Sequence, residues 1–126
     1  MPKEVTILIS EDEKLNFLLL KTLLQKSLDC NVNIIHAVNG QEAVDYCSDT
    51  IDLVLMDVEM PIMNGFDASV ILKEKYPELP IIIQTAHCSK EHKERAALIG
   101  CNAFLPKPIV RKDFETILSQ YVPIVC

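Results

Sequence analysis

The chain has 126 residues, 49% hydrophobic and 24% charged, with a formal net charge of −6. That length supports one domain with a full apolar core and no disulfide or metal staple, and the apolar share excludes a disordered chain. The acidic balance speaks against a nucleic-acid surface, no apolar run reaches the ~20 residues of a membrane helix, and Met1-Pro2-Lys3-Glu4 opens no signal peptide.

The expectation is therefore a cytoplasmic single domain over residues 1–126, with five reduced cysteines. Val5 to Ile9 reads as a first strand and leads into Ser10-Glu11-Asp12-Glu13. Leu15, Leu18, Leu19, Thr22 and Leu23 follow at i, i+3, i+4, i+7 and i+8, one face of a helix. Val32 to Val38 is a second strand, with Asn39-Gly40 opening a helix marked by Ala43, Val44 and Cys47. A third strand, Asp52 to Met56, runs out at Asp57, and Asn64-Gly65 opens a helix carrying Phe66, Val70 and Ile71. Both Asn-Gly pairs also suit hairpin turns, but helical period follows each. Pro80 to Thr85 is a fourth strand. Ser89 then caps a helix with Ala96, Ala97 and Ile99, which Gly100 ends. Ala103 to Leu105 is a fifth strand running into Pro106-Lys107-Pro108, and Phe114, Ile117, Leu118 and Tyr121 share a face of the last helix. The prolines after Pro2 fall at or near the proposed ends.

Five strands alternating with five helices predict an α/β fold with a parallel sheet. Strands three and four lack polar alternation, as strands covered on both faces do. Right-handed crossovers and five βα units select the order 2-1-3-4-5, a flavodoxin-like sheet with helices on both faces. In such sheets a site forms outside the carboxyl ends of the strands. The residues there are Glu11 and Asp12 after strand one, Asp57 at strand three, Thr85 at strand four and Lys107 after strand five.

Gathered carboxylates repel unless a cation lies among them, and hard oxygen donors favour Mg²⁺ or Mn²⁺. A lysine balances a further anion and a threonine hydroxyl donates to a phosphoryl oxygen. The cluster suits a phosphoryl group on or beside Asp57. Taken singly, an aspartate at a strand end is usually a turn former, an acidic run a helix start and a lysine a solvated surface charge. The conjunction at four strand ends reverses those odds.

The four segments that carry these residues resemble the receiver domains of response regulators in two-component signalling. They are Ile7 to Glu13 (ILISEDE), Leu53 to Gly65 (LVLMDVEMPIMNG), Ile81 to Ala86 (IIIQTA) and Gly100 to Ile109 (GCNAFLPKPI). The resemblance implies that Asp57 accepts a phosphoryl group from a phosphohistidine. It implies Mg²⁺ held by Asp12 and Asp57, by Glu11 through water and by the Glu59 backbone carbonyl. Lys107 would contact the phosphoryl group or the free carboxylate, Thr85 would move toward the phosphoryl oxygens, and Phe104 would turn inward with it. A cis Lys107-Pro108 bond is also implied. The donor would be a sensor histidine kinase or a histidine phosphotransfer protein. A downstream output protein or domain would read the face of the fourth helix, fifth strand and fifth helix, whose exposed residues would include Lys90, His92, Lys93 and Arg111. By the same resemblance the domain is not an enzyme proper: it promotes its own phosphorylation and slow dephosphorylation.

This chain departs from the family pattern in placing Glu11 where Asp is commoner, and it carries Glu59 and His87 near the mouth, positions that vary in the family and tune dephosphorylation. Three rival functions differ in class. A haloacid-dehalogenase-like phosphatase wants a second Asp two residues after the nucleophile, where this chain has Glu59. A flavin binder needs a Ser/Thr/Gly-rich loop after strand one, where acids stand. A non-phosphorylated pseudo-receiver does not require the intact acidic pair, Asp57, Thr85 and Lys107. Either a stand-alone receiver or a piece of a hybrid histidine kinase fits the length, and ILISEDEKLN and IIIQTAH favour the second. Cys47 and Cys101 fall at core positions, Cys30 and Cys88 at element edges and Cys126 in the tail, with no metal-ligand spacing.

Overall fold

The computed structural model describes residues 4–28 and 31–122. Five strands alternate with five helices: β1 (Glu4–Ser10), α1 (Lys14–Ser27), β2 (Asn31–Ala37), α2 (Gly40–Tyr46), β3 (Leu53–Asp57), α3 (Gly65–Lys75), β4 (Ile81–Thr85), α4 (Lys90–Ile99), β5 (Ala103–Pro106) and α5 (Arg111–Tyr121). All pairings are parallel and the order is β2-β1-β3-β4-β5, as expected.

Local chemistry starts the middle helices. Asn39 accepts from the Glu42 N–H at 2.7 Å, and the Glu42 carboxylate reaches back to the Val38 N–H at 3.0 Å. The first bond satisfies an orphan donor of α2, and the second ties the residue before the cap to the same turn. Asn64 accepts from the Asp67 N–H at 2.9 Å, and Ser89 from the His92 N–H at 3.1 Å. Both Asn-Gly pairs are thus helix entries. Gly100 ends α4 at φ 97°, where only glycine escapes strain.

β3 and β4 are buried along their whole length, and their alternate residues feed two cores. Val54, Met56, Ile81 and Ile83 meet Ala43, Phe66, Leu72 and Ala96 on the α2–α3–α4 side. Leu53, Leu55 and Ile82 meet Leu20, Leu24, Phe114 and Leu118 on the α1–α5 side. This follows from the two-residue period of a strand.

Two helix faces differ from expectation. Leu15, Leu18 and Leu19 of α1 are 78%, 44% and 48% exposed, and Leu20 and Leu24 with half-buried Phe17 and Leu23 form its inward side. Leucines fill so much of α1 that the period fits two stripes, and the large Phe17 ring belongs to the one that packs. In α3, Val70 and Ile71 lie at the surface, whereas Phe66, Ala68, Ser69 and Leu72 are buried. Cys47 is buried, Cys101 is half-buried against the same core, and Cys88 is exposed after β4. Cys30 and Cys126 lie outside the described residues. Among those described, no helix is long and apolar enough to cross a membrane.

Candidate functional site

Strand register assembles the site. Ser10 pairs with Met56, Asp57 with Gln84, and Thr85 with Pro106. The residues that end or follow these strands therefore reach one edge of the sheet together. Asp12, Asp57, Glu59, Thr85, His87 and Lys107 border a cavity of about 200 Å³. A wider groove of about 590 Å³ lies beside it, between the β3–α3 loop and α4, over Val58, Met60 and Phe66. The acids converge on the smaller space, so the chemistry is placed there.

Glu11, Asp12 and Asp57 each bring a carboxylate oxygen to within 4.8 Å of the others. Glu11 is completely buried and Asp57 is 5% exposed, whereas Asp12 faces solvent. The Lys107 ammonium joins the buried pair, 2.8 Å from Glu11 Oε1 and 3.2 Å from Asp57 Oδ1. Burial first and the neighbouring Glu11 charge second push the Asp57 carboxyl up to about 7, with Lys107 pulling against both. Burial lowers the pKa of Lys107, but its bonds and charges from Glu11 and Asp57 outweigh that, leaving it above the usual lysine range. One ammonium among three carboxylates leaves negative charge uncompensated. Three hard oxygen donors with that surplus fit a small divalent cation.

Glu11 is held at every polar atom. Its Oε2 accepts from the Glu13 N–H at 3.2 Å, its own N–H donates to the Ala37 carbonyl at 2.9 Å, and its carbonyl lies 2.8 Å from His36 Nε2. Thr85 is 1% exposed. Its hydroxyl oxygen accepts from the His87 N–H at 3.0 Å, and its carbonyl accepts from the Lys107 N–H at 2.8 Å. The Lys107-Pro108 peptide is cis, as expected. Phe104 is half-buried against the α2–α3–α4 core. Across the mouth His87 Nε2 lies 2.9 Å from Glu59 Oε1, both side chains more than half exposed. The other face expected to be read has Lys90, Lys93 and Arg111 exposed. His92 differs: it is half-buried, its ring 5.5 Å from that of Phe66 and its Nδ1 2.7 Å from Ser89 Oγ.

The β3–α3 loop is bound to its neighbours by backbone. Gly65 donates to the Val58 carbonyl at 2.8 Å, and a Cβ at Gly65 would run into the Asp57 carbonyl. Met63 donates to Pro61 across one residue, closing a γ-turn at Ile62, φ 71°, and its carbonyl accepts from Gly40 at 2.9 Å. A β-branched residue at positive φ is strained.

Glu11, Asp12, Asp57, Glu59, Thr85, His87 and Lys107 thus border or adjoin the acidic edge, whereas Phe104, paired with Ile83, sits two strand positions inside it. His36 was missed. Its only signal was a polar ring in an otherwise apolar stretch of β2.

A family model for the response regulator receiver domain matches residues 7–119. The autoinducer 1 sensor kinase/phosphatase LuxN of Vibrio campbellii is 42% identical over 118 residues, 93% of this chain and 13% of that protein. The polar-differentiation response regulator DivK of Brucella anthropi is 37% identical over 123 residues, 94% of this chain and 96% of that one. The chain therefore spans nearly all of one relative and a small part of the other. Among solved structures, the CheX-CheY-BeF3-Mg²⁺ complex from Borrelia burgdorferi contains a chain 25% identical, with a TM-score of 0.84 over 94% of this chain and 90% of that chain.

Proposed function

Because the chain belongs to the response regulator receiver family of two-component signalling, we propose that it is a phosphorylation-activated switch whose acceptor is Asp57. The Lys107 ammonium carries this reading: it spans Glu11 and Asp57 where three carboxylates meet. A lysine so placed is ready to take a second anion once Asp57 bears one.

In the proposed reaction an Asp57 oxygen attacks the phosphorus of a phosphohistidine. The O–P bond forms, the P–N bond breaks and the imidazole of the donor leaves. The donor is a sensor histidine kinase or histidine phosphotransfer protein, the partner class with which receivers interact. Asp12 and Asp57 would hold Mg²⁺, Glu11 would act through water, and the Glu59 carbonyl would complete the protein's share. When bound, the cation neutralises charge on the phosphoryl oxygens. The CheX-CheY-BeF3-Mg²⁺ complex from Borrelia burgdorferi, which contains a chain of this fold, supports a cation here.

The product adds about −1.5 to −2 charges and three acceptor oxygens beside Thr85 and Lys107. Phosphorylation then favours the conformer in which the Thr85 hydroxyl leaves the His87 N–H for the phosphoryl group. Phe104, on the strand next to Thr85, turns inward with it and changes the α4–β5–α5 face for an output partner. Water later cleaves the acyl phosphate slowly.

Acetyl phosphate with Mg²⁺ tests the acceptor. The wild-type chain should gain one acid-labile phosphoryl group by mass spectrometry and Asp57→Asn none; equal uptake by the two would refute the assignment.

A further inference from the structure

We propose that His36 is a positioning residue for the acidic edge: its Nε2–H holds the Glu11–Asp12 peptide, and with it the Asp12 carboxylate, in the orientation that the cation needs. This rests on the Mg²⁺ reading above.

His36 pairs with Ile9 in the β2–β1 register and stands one residue before Ala37. Its ring stacks on Phe17 of α1, centroids 3.6 Å apart and planes 8° from parallel. That contact aims Nε2 at the Glu11 carbonyl, 2.8 Å away. A carbonyl oxygen only accepts, so the ring carries its proton on Nε2. The carbonyl belongs to the peptide joining Glu11 to Asp12, and peptides are planar, so fixing that oxygen fixes the plane from which Asp12 departs. Ala37 anchors the preceding peptide through the Glu11 N–H. β2 thus grips both peptides that flank Glu11.

The two acids differ in what holds them. The Glu11 carboxylate is fixed by Lys107 and the Glu13 N–H. Asp12 is exposed, and among the described residues its carboxylate has no protein hydrogen bond, so its place depends on its backbone. The Phe17 N–H donates to Glu13 at 3.0 Å, so the ring that orients His36 lies on the helical turn the acidic loop enters. The ring and the loop it supports form one closed unit.

Two variants separate the donor from the stack. His36→Phe keeps a ring on Phe17 and removes the N–H; His36→Gln restores a donor of similar reach and removes the ring. Mg²⁺ affinity is read by NMR titration of the Asp12 and Glu13 amides in the unphosphorylated chain, and thermal stability is read without Mg²⁺. His36→Phe should weaken Mg²⁺ binding by about three- to tenfold with little change in melting temperature, and His36→Gln should return affinity to within about twofold of wild type. His36→Leu replaces the phenylalanine variant if that one fails to fold. Wild-type Mg²⁺ affinity in the variants lacking the donor would overturn the proposal, as would equal loss in the glutamine variant. A wild-type chain with no Mg²⁺ response would overturn the parent reading and this proposal with it.

Discussion

Asp57 is an acid kept close to neutral by its surroundings. Its carboxyl titrates near 7 in the folded chain, against an ordinary 3.8. Between those values the folded chain binds more protons than the unfolded one, so stability without metal is fullest below the lower value and falls as pH rises through the upper. Asp57→Asn removes that penalty. In chelator at about pH 8 the variant should be more stable to urea by roughly 1–3 kcal/mol, less than the full shift implies because it also gives up the Lys107 contact. Near pH 3 the gain should vanish; a gain that persists there would assign it to packing. Asp57, Glu11, Asp12, Thr85 and Lys107 were legible as a group because a parallel sheet delivers its strand ends to one edge. His36 was not, because its partner is a backbone carbonyl, which leaves no trace in residue identity.

Helices and loops obey the same division. α2, α3 and α4 were readable from Asn39, Asn64 and Ser89, whose side chains each take a first-turn N–H. The inward face of α1 was not, because Leu18-Leu19-Leu20 and Leu23-Leu24 satisfy helical period on neighbouring stripes, and only packing against β-strand residues chooses between them. Gly65 looked like a helix opener; the structure adds that it is the gap through which α3 approaches the end of β3. Gly65→Ala should therefore cost about 2–4 kcal/mol by chemical denaturation, since the obstacle is the Asp57 main chain and cannot swing aside. Gly100→Ala meets nothing within van der Waals range and should cost only its left-handed backbone strain, about 1 kcal/mol. Equal losses at the two glycines would contradict the close approach.

At the level of the molecule, the site and the stability of the fold are linked. A cation that binds the assembled acids and not the unfolded chain stabilises the whole by about 1.4 kcal/mol at ten times its dissociation constant, which for a chain of this size raises the melting temperature by roughly 4–7 °C. Mg²⁺ should produce that rise in the wild type and little of it in Asp12→Ala; the same rise in both would place the ion elsewhere. The sheet order was legible from the alternation of segments and the two fully apolar central strands. The direct contact between Glu59 and His87 was not, since they meet across separate loops.

The central strands show opposite sides of themselves to different neighbours, one residue apart. Each side can therefore diverge without consulting the other: α2, α3 and α4 are free to be recut for new tasks while α1 and α5 keep the same footing. Asp57 terminates a strand common to both, so such remodelling leaves its carboxylate where it stands. A single chemical module can in this way be fitted with many exteriors.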